Sequence, residues 1–336
     1  MAASMAASRH IVKNALVNLH GRPYSDPVCT VEEYVTCHPV LARLPSEGIR
    51  LVGEMLGRSF SSVSEPGMKL ISSLTTALDD FHKTGICLSR FDDSNLLVSV
   101  DSTETLFHPI ESNKIERTQN LPPGVFVTPG MAVFPDAGKL KFRDVEFEPS
   151  TPAGIRANYL DAHAFITKKL LQPEIPIPDD IKLLKLLKSP KSAAMGPLIS
   201  KHASVACLGL RLGLIMTYIP YIRHVLPYVD RTAESMVLGE MPYLDDWIER
   251  AKNNKLLELF FNHHSDKTRA DAAGFLDFYY YVSTNRMKWC RSSWFKPDGY
   301  TFDEIEMLKT VTYPELMPTI QEALWKANHL EKAHGS

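Results

Sequence analysis

Proton transfer needs a histidine, carboxylate, tyrosine or lysine held near a reacting atom, and in this 336-residue chain such side chains gather in a few short runs. His263 and His264 are adjacent, so they cannot converge on one metal ion as an i,i+4 helical pair does, and they read as an exposed loop. Tyr279, Tyr280 and Tyr281 offer rings on which nucleic-acid bases could stack, although three consecutive helical residues point three ways and at least one must enter the core. Arg90 is placed either to bind phosphate or to pair with Asp92 or Asp161. Lys182, Lys185, Lys188 and Lys191 form a basic stripe beside Leu183, Leu184, Leu186 and Leu187, which is a solvated face or a surface for an anionic partner. Asn95 reads as a turn residue bonding its own backbone. Asp144, inside an alternation of bases and acids, reads as one side of a solvated strand.

The balance of charge limits the partners. Lys and Arg number 37 against 39 Asp and Glu, a net charge of -2, so no global field draws the chain to nucleic acid or to an anionic membrane, although local basic sites remain. DNA is not an expected partner. Cys29, Cys37, Cys87, Cys207 and Cys290 contain no CxxC pair and read as reduced thiols of a cytoplasmic protein, without a zinc site or disulfide framework. The most apolar window, Cys207 to Ile222, is interrupted by Arg211 and Pro220 and falls short of the ~20 residues a membrane span needs, so it reads as a buried helix. The first 25 residues lack any acid and carry Arg9, His10, Lys13, His20 and Arg22. They read as an unstructured or targeting-like segment, with organellar targeting as the second reading.

Several elements must position these residues. At roughly 150 residues per domain the length suggests about two domains, and 44% apolar with 23% charged residues is ordinary for a globular protein. Ser64, Glu65 and Pro66 open a helix whose Met68, Leu70, Ile71, Leu74, Ala77, Leu78 and Phe81 recur at helical period, and Gly85 stops it. A β-like run follows at 95–100, and residues 139–147 read as a hairpin or edge strand. Beyond residue 158 the pattern is helical: 160–171, 180–187, 197–222, 243–261, 270–284, 302–310 and 313–330, with Pro227 to Leu238 as the best linker. The expected fold class is mainly α (α+β).

Two resemblances build on this order. The passage from His82 to Val98 resembles the end of the protein-kinase αE helix and the catalytic loop that follows it, with Asn95 where a metal-binding Asn stands and Arg90 at the catalytic Asp position. The metal-binding Asp-Phe-Gly falls by spacing on His108-Pro109-Ile110 and by local pattern on Asp144-Val145-Glu146. The second register keeps an Asp and is preferred. Asp161 matches the αF aspartate that braces the loop, and no Gly-rich loop or Val-Ala-Ile-Lys strand precedes residue 66. Downstream, Asp246-Trp-Ile-Glu249, a helix to Phe261, the block Ala272 to Asn285 and the tail Tyr313-Pro-Glu-Leu-Met-Pro-Thr-Ile320 are similar, in order, to motifs of the kinase-extension nuclease (KEN) domain. That domain is found in the unfolded-protein-response sensor kinase-ribonuclease and in ribonuclease L.

The resemblance covers roughly residues 66–330. It implies an N-terminally shortened kinase C-lobe-like domain over 31–226 with a small β element and a helical KEN-like domain over 240–330, after the disordered or targeting-like terminus that the composition of residues 1–30 suggests. The family's Arg-Asn pair falls on Tyr280-Tyr281, its catalytic His on Thr284 or Asn285, and its catalytic Tyr in the loop of His263 and His264. A guanidinium at position 90 stays protonated and cannot accept a substrate proton. The leading expectation is therefore a catalytically degenerate pseudokinase/KEN-like regulatory module in stress or RNA-processing signalling, forming a homodimer or a heterodimer with a full-length relative and needing no cofactor. The alternatives are a divergent endoribonuclease on structured RNA, using His264, Tyr280, Tyr281 or Asn285, and a sensor holding Mg-ATP at Asn95 and Asp144 without transferring phosphate.

Overall fold

Helix starts and strand pairings explain most of the architecture. The computed structural model describes residues 28–43, 61–100, 138–171, 178–264, 269–290 and 301–335. Most of the N-terminal segment and His108-Pro109-Ile110 lie outside these residues. Strand β1 (Val28–Thr30) runs into helix α1 (Val31–Cys37), where Thr30 and Glu33 form a reciprocal capping box. Strands β2 (Leu41–Arg43) and β3 (Ser61–Val63) pair antiparallel and lead into α2 (Glu65–Lys83). The Ser64 hydroxyl caps α2 by accepting from the Gly67 amide at 3.2 Å, and its apolar stripe, Leu70, Ile71, Leu74 and Leu78, is buried. Gly67 permits the close approach of β2–β3, since a Cβ there would meet Val40 at 2.7 Å. Gly85, at φ +82°, turns the chain into β4 (Ile86–Leu88).

A 3-10 turn (Asp93–Asn95) follows, then β5 (Leu96–Ser99), which pairs antiparallel with β1 on one side and with β6 (Leu140–Phe142) on the other. Strand β7 (Phe147–Pro149) pairs with β4. The run 139–147 is thus not a hairpin but two strands divided at Asp144, whose φ is +53°. The Phe142 and Phe147 rings both pack edge-on against Phe81, at 5.7 and 5.4 Å, which holds both strands to α2.

Helix α3 (Pro152–Phe165) begins eight residues before the expected Leu160, because Thr151 caps it (Gly154 N to Oγ1, 3.0 Å) and Pro152 suits its first turn. It continues as a π-helical turn over Ile166–Leu170. Helices α4 (Pro178–Lys188), α5 (Gly196–Ser200), α6 (Leu208–Pro220), α7 (Leu226–Val229) and α8 (Arg231–Gly239) follow. The expected single helix 197–222 is broken, and the Arg211 side chain satisfies the carbonyls at the break, reaching Ser204 O and Ala206 O, each at 3.1 Å. Pro220, which has no N–H, precedes a second π-helical turn (Tyr221–Val225). The expected linker Pro227 to Leu238 is instead helical: Asp230 caps α8 through the Ala233 amide at 2.9 Å, and Ala233 and Val237 are buried.

The expected helix 243–261 is also two, α9 (Trp247–Lys252) and α10 (Lys255–His264), divided where Asn254 Oδ1 accepts from the Leu256 and Leu257 amides. Helices α11 (Ala272–Cys290), α12 (Phe302–Thr312), α13 (Leu316–Lys326) and α14 (Leu330–His334) complete a mainly α fold with a few short strands. Trp247 is the hub of the C-terminal half. It stacks on Phe275 at 5.4 Å, touches Phe278 and Phe261, and its carbonyl accepts from the Tyr313 hydroxyl at 2.8 Å. One buried apolar cluster runs from Val31 to Ala333, and α6 packs against α11, α12 and α13, so the core continues across residues 226–240. Among the described residues no single helix is long and apolar enough to cross a membrane.

Candidate functional site

Two places collect the chemistry-bearing residues. The first is the loop between β4 and β5. Asn158 of α3 clamps its start: its Nδ2 donates to Leu88 O at 2.7 Å, and its Oδ1 accepts from Leu88 N at 2.9 Å and sits 3.2 Å from His82 Nε2. Burial holds the His82 imidazole below its ordinary pKa, so it stays neutral and donates from Nε2.

Two residues on, Arg90 binds Asp161 through two parallel bonds, Nε to Oδ2 at 2.9 Å and a terminal nitrogen to Oδ1 at 2.8 Å. The Arg90 side chain is 78% exposed and that of Asp161 only 7%. Burial pushes the Asp161 carboxyl above its ordinary range, while Arg90 and the Phe91 amide, 3.4 Å from Oδ2, favour its charged form. Of the two partners open to Arg90 from sequence, the structure selects Asp161. It also places that residue in the third turn of α3 and not at a helix start.

Asn95 is held on all sides. Its Oδ1 accepts from the Asp92 amide at 3.0 Å, and its Nδ2 donates to the carbonyls of Arg143 at 3.2 Å and Asp144 at 3.3 Å. The β5–β6 pairing therefore brings Asp144 beside Asn95 although the two are 49 residues apart. Asp144, between β6 and β7, takes the left-handed region, a conformation of moderate cost for a non-glycine residue. Its carboxylate is 44% exposed and lies 3.7 Å from Arg143 Nε. As a magnesium site the pair fits poorly, offering one carboxylate and an amide oxygen already in use. Among the described residues no three His, Cys, Asp or Glu are grouped to hold a metal.

The second place is the end of α10 against α11. His263 and His264 are the last two residues of α10, not a loop, because the apolar stripe Leu256, Leu257 and Phe260 carries the helix onward. The His264 ring stacks flat on Tyr281, with centroids 4.4 Å apart and planes at 12°, and Phe260 meets Tyr281 edge-on. Asn285 does not reach this pair with its amide: Nδ2 donates to the Tyr281 carbonyl one turn back and to Thr284 Oγ1. Tyr279 is the core member of the three tyrosines, at 3% exposure, while Tyr280 and Tyr281 are half-buried.

Beneath Tyr279 lies a pair the sequence does not signal. Lys309 Nζ, fully buried, donates to Glu306 Oε1 and Oε2 at 2.7 and 2.9 Å and to Ser283 Oγ at 2.5 Å, and lies 4.5 Å from the Tyr279 ring centre. Burial pulls its pKa down to about 8. His202 is another such residue. It is enclosed between α5 and α6, bonded to Ser204 at 2.5 Å, and desolvation lowers its pKa to about 3. Of the basic stripe, Lys182 is not a solvated residue, since its ammonium reaches Thr319 Oγ1 of α13 at 2.5 Å; Lys185, Lys188 and Lys191 are exposed. The chain matches no protein-family model, no curated protein and no solved structure.

Proposed function

We propose that the chain is a pseudoenzyme: a kinase-like helical domain followed by a KEN-like extension, both retained as a regulatory or interaction module in stress or RNA-processing signalling. Arg90 carries this reading. Where the resembling family holds the carboxylate that takes the substrate proton, a permanently protonated guanidinium is tied to the buried Asp161 in a two-bond pair. The loop is thereby braced but offers no base. The partner on this reading is a second copy or a longer relative. Sedimentation of the purified chain at tens of micromolar, alone and with a full-length relative, tests it; a monomer that binds neither would refute the module.

One observation favours a second reading, a divergent endoribonuclease. His264 and Tyr281 are stacked at the end of α10, and an imidazole beside a phenol can supply acid and base for cleavage through the 2′-hydroxyl. Alanine at both that leaves any cleavage rate unchanged removes it. The ATP-sensor reading rests on the proximity of Asn95 and Asp144. It requires a Mg²⁺-dependent gain with ATP of about 2.7 kcal/mol at one hundred times the dissociation constant.

A further inference from the structure

Residues 181–229 contain neither Asp nor Glu, in a chain that carries 39 of them. Over those 49 positions stand seven bases: Lys182, Lys185, Lys188, Lys191, Lys201, Arg211 and Arg223. Three are used inside the protein. Lys182 reaches Thr319, Arg211 is buried against carbonyls, and Arg223 pairs with Asp277 at 2.9 Å. Lys185, Lys188, Lys191 and Lys201 are exposed.

The same tract holds most of the large apolar side chains that face solvent. Leu210 is 64% exposed, Tyr228 88% and Val229 62%, with Met216 and Val225 also exposed. Between Gly209 and Val229 the remaining charges are the buried Arg211 and the paired Arg223, so the outer side of α6 and α7 presents no unpaired charge. The lysines adjoin the start of the apolar stretch, since α4 packs on α5 and on the 3-10 turn Ala203–Val205 that leads into α6 and Leu210, while Tyr228 and Val229 lie at the far end of that stretch, in α7. Lys201 lies between α4 and α6 in the chain and acts electrostatically on His334, which bonds Tyr218 of α6.

Exposed lysines beside an uncharged apolar surface with a protruding tyrosine suit one kind of partner, an anionic lipid surface. Lysines meet the headgroups, short apolar side chains enter the acyl boundary, and a tyrosine sits at the interface. A second copy fits less well, because an isologous contact through this face sets like charges together. RNA would use the lysines and leave Leu210, Tyr228 and Val229 against water. We propose that α4 to α7 form a peripheral docking face for anionic membranes. This goes beyond the pseudoenzyme reading and does not depend on it.

Vesicle co-sedimentation of the full chain tests it, comparing phosphatidylcholine alone with phosphatidylcholine containing 30% phosphatidylserine. Binding only to the anionic vesicles, weakened by salt, is expected. Each lysine near such a surface is worth about a factor of five, so the triple variant K185Q/K188Q/K191Q should bind roughly a hundredfold more weakly. The triple variant L210S/Y228S/V229S should bind at least tenfold more weakly with its melting temperature unchanged, since these side chains are exposed. Three results would overturn the proposal: no binding to anionic vesicles, an apolar variant that binds as well as the parent, or equal retention by a structured RNA and by vesicles with only the lysines mattering.

Discussion

Arg90–Asp161 and Lys309–Glu306 are both close ion pairs, yet they do opposite work. The first has its guanidinium 78% exposed and its carboxylate buried, so water screens it and its value lies in fixing the loop 88–92. The second has both partners almost wholly removed from solvent, at 1% and 3% side-chain exposure, so each charge depends on the other. In the N-terminal half polar groups lock a loop that resembles a catalytic one. In the C-terminal half aromatic packing surrounds a buried charge and leaves His264 and Tyr281 at its edge. The contrast is between a pair that fixes a loop at the surface and a pair that packing removes from water.

Breaking each pair separates the two cases. Lys309→Met leaves Glu306 as an uncompensated buried carboxylate and should cost about 3–5 kcal/mol in urea unfolding, whereas Lys309→Met with Glu306→Leu should recover most of it. A single variant within about 1 kcal/mol of the parent would place water beside the pair.

Acid provides the next largest effect. The folded His202 pKa, about 3, lies below the unfolded value of 6.5, so the unfolded chain binds the extra proton. Stability is complete above pH 6.5 and is lost as pH falls toward 3, at up to about 1.4 kcal/mol per pH unit. His202→Gln should reduce the slope of melting temperature against pH between 6.5 and 4. The opposite end of the scale tests Lys309. Its folded pKa of about 8 is depressed below the ordinary 10.5, so its contribution rises as pH passes from 8 upward. Relative to Lys309→Met, the parent should gain stability between pH 8 and 9.5.

Asn158→Leu removes two buried bonds to Leu88 and the partner of His82. A loss of about 2–3 kcal/mol is expected by denaturant titration. Arg90→Ala should cost about 1–2 kcal/mol, because the buried Asp161 carboxylate keeps only the Phe91 amide as a partner. Amide exchange at Phe91 should nevertheless rise, since the loop loses its brace.

The parts legible in the sequence were those with local signals. Helix α2 announces itself through Ser64, Pro66 and its apolar stripe: Met68, Leu70, Ile71, Leu74, Leu78 and Phe81 are buried as the period selects and Ala77 is partly covered, while Thr75 and Asp79 are buried without such a signal. Mainly α character was equally legible. Pairings between distant segments were not: β4 meets β7 across some sixty residues, and no turn signal joins them. The breaks at Asn254 and His202 were hidden because the flanking apolar residues keep helical period through them. Asp144 was found beside Asn95 by pattern and not by spacing. Lys309 and Glu306, at i,i+3, look in sequence like any solvated helical pair, and only packing by α11 buries them.

The central claim of the proposed reading is that neither place performs proton transfer. Its most direct test incubates the purified chain, at a concentration where self-association is confirmed in the same sample, with a structured RNA stem-loop and analyses the product ends. Intact RNA is the predicted result. Specific cleavage leaving a cyclic phosphate, abolished by His264→Ala, would contradict the account and make the α10–α11 edge an active site.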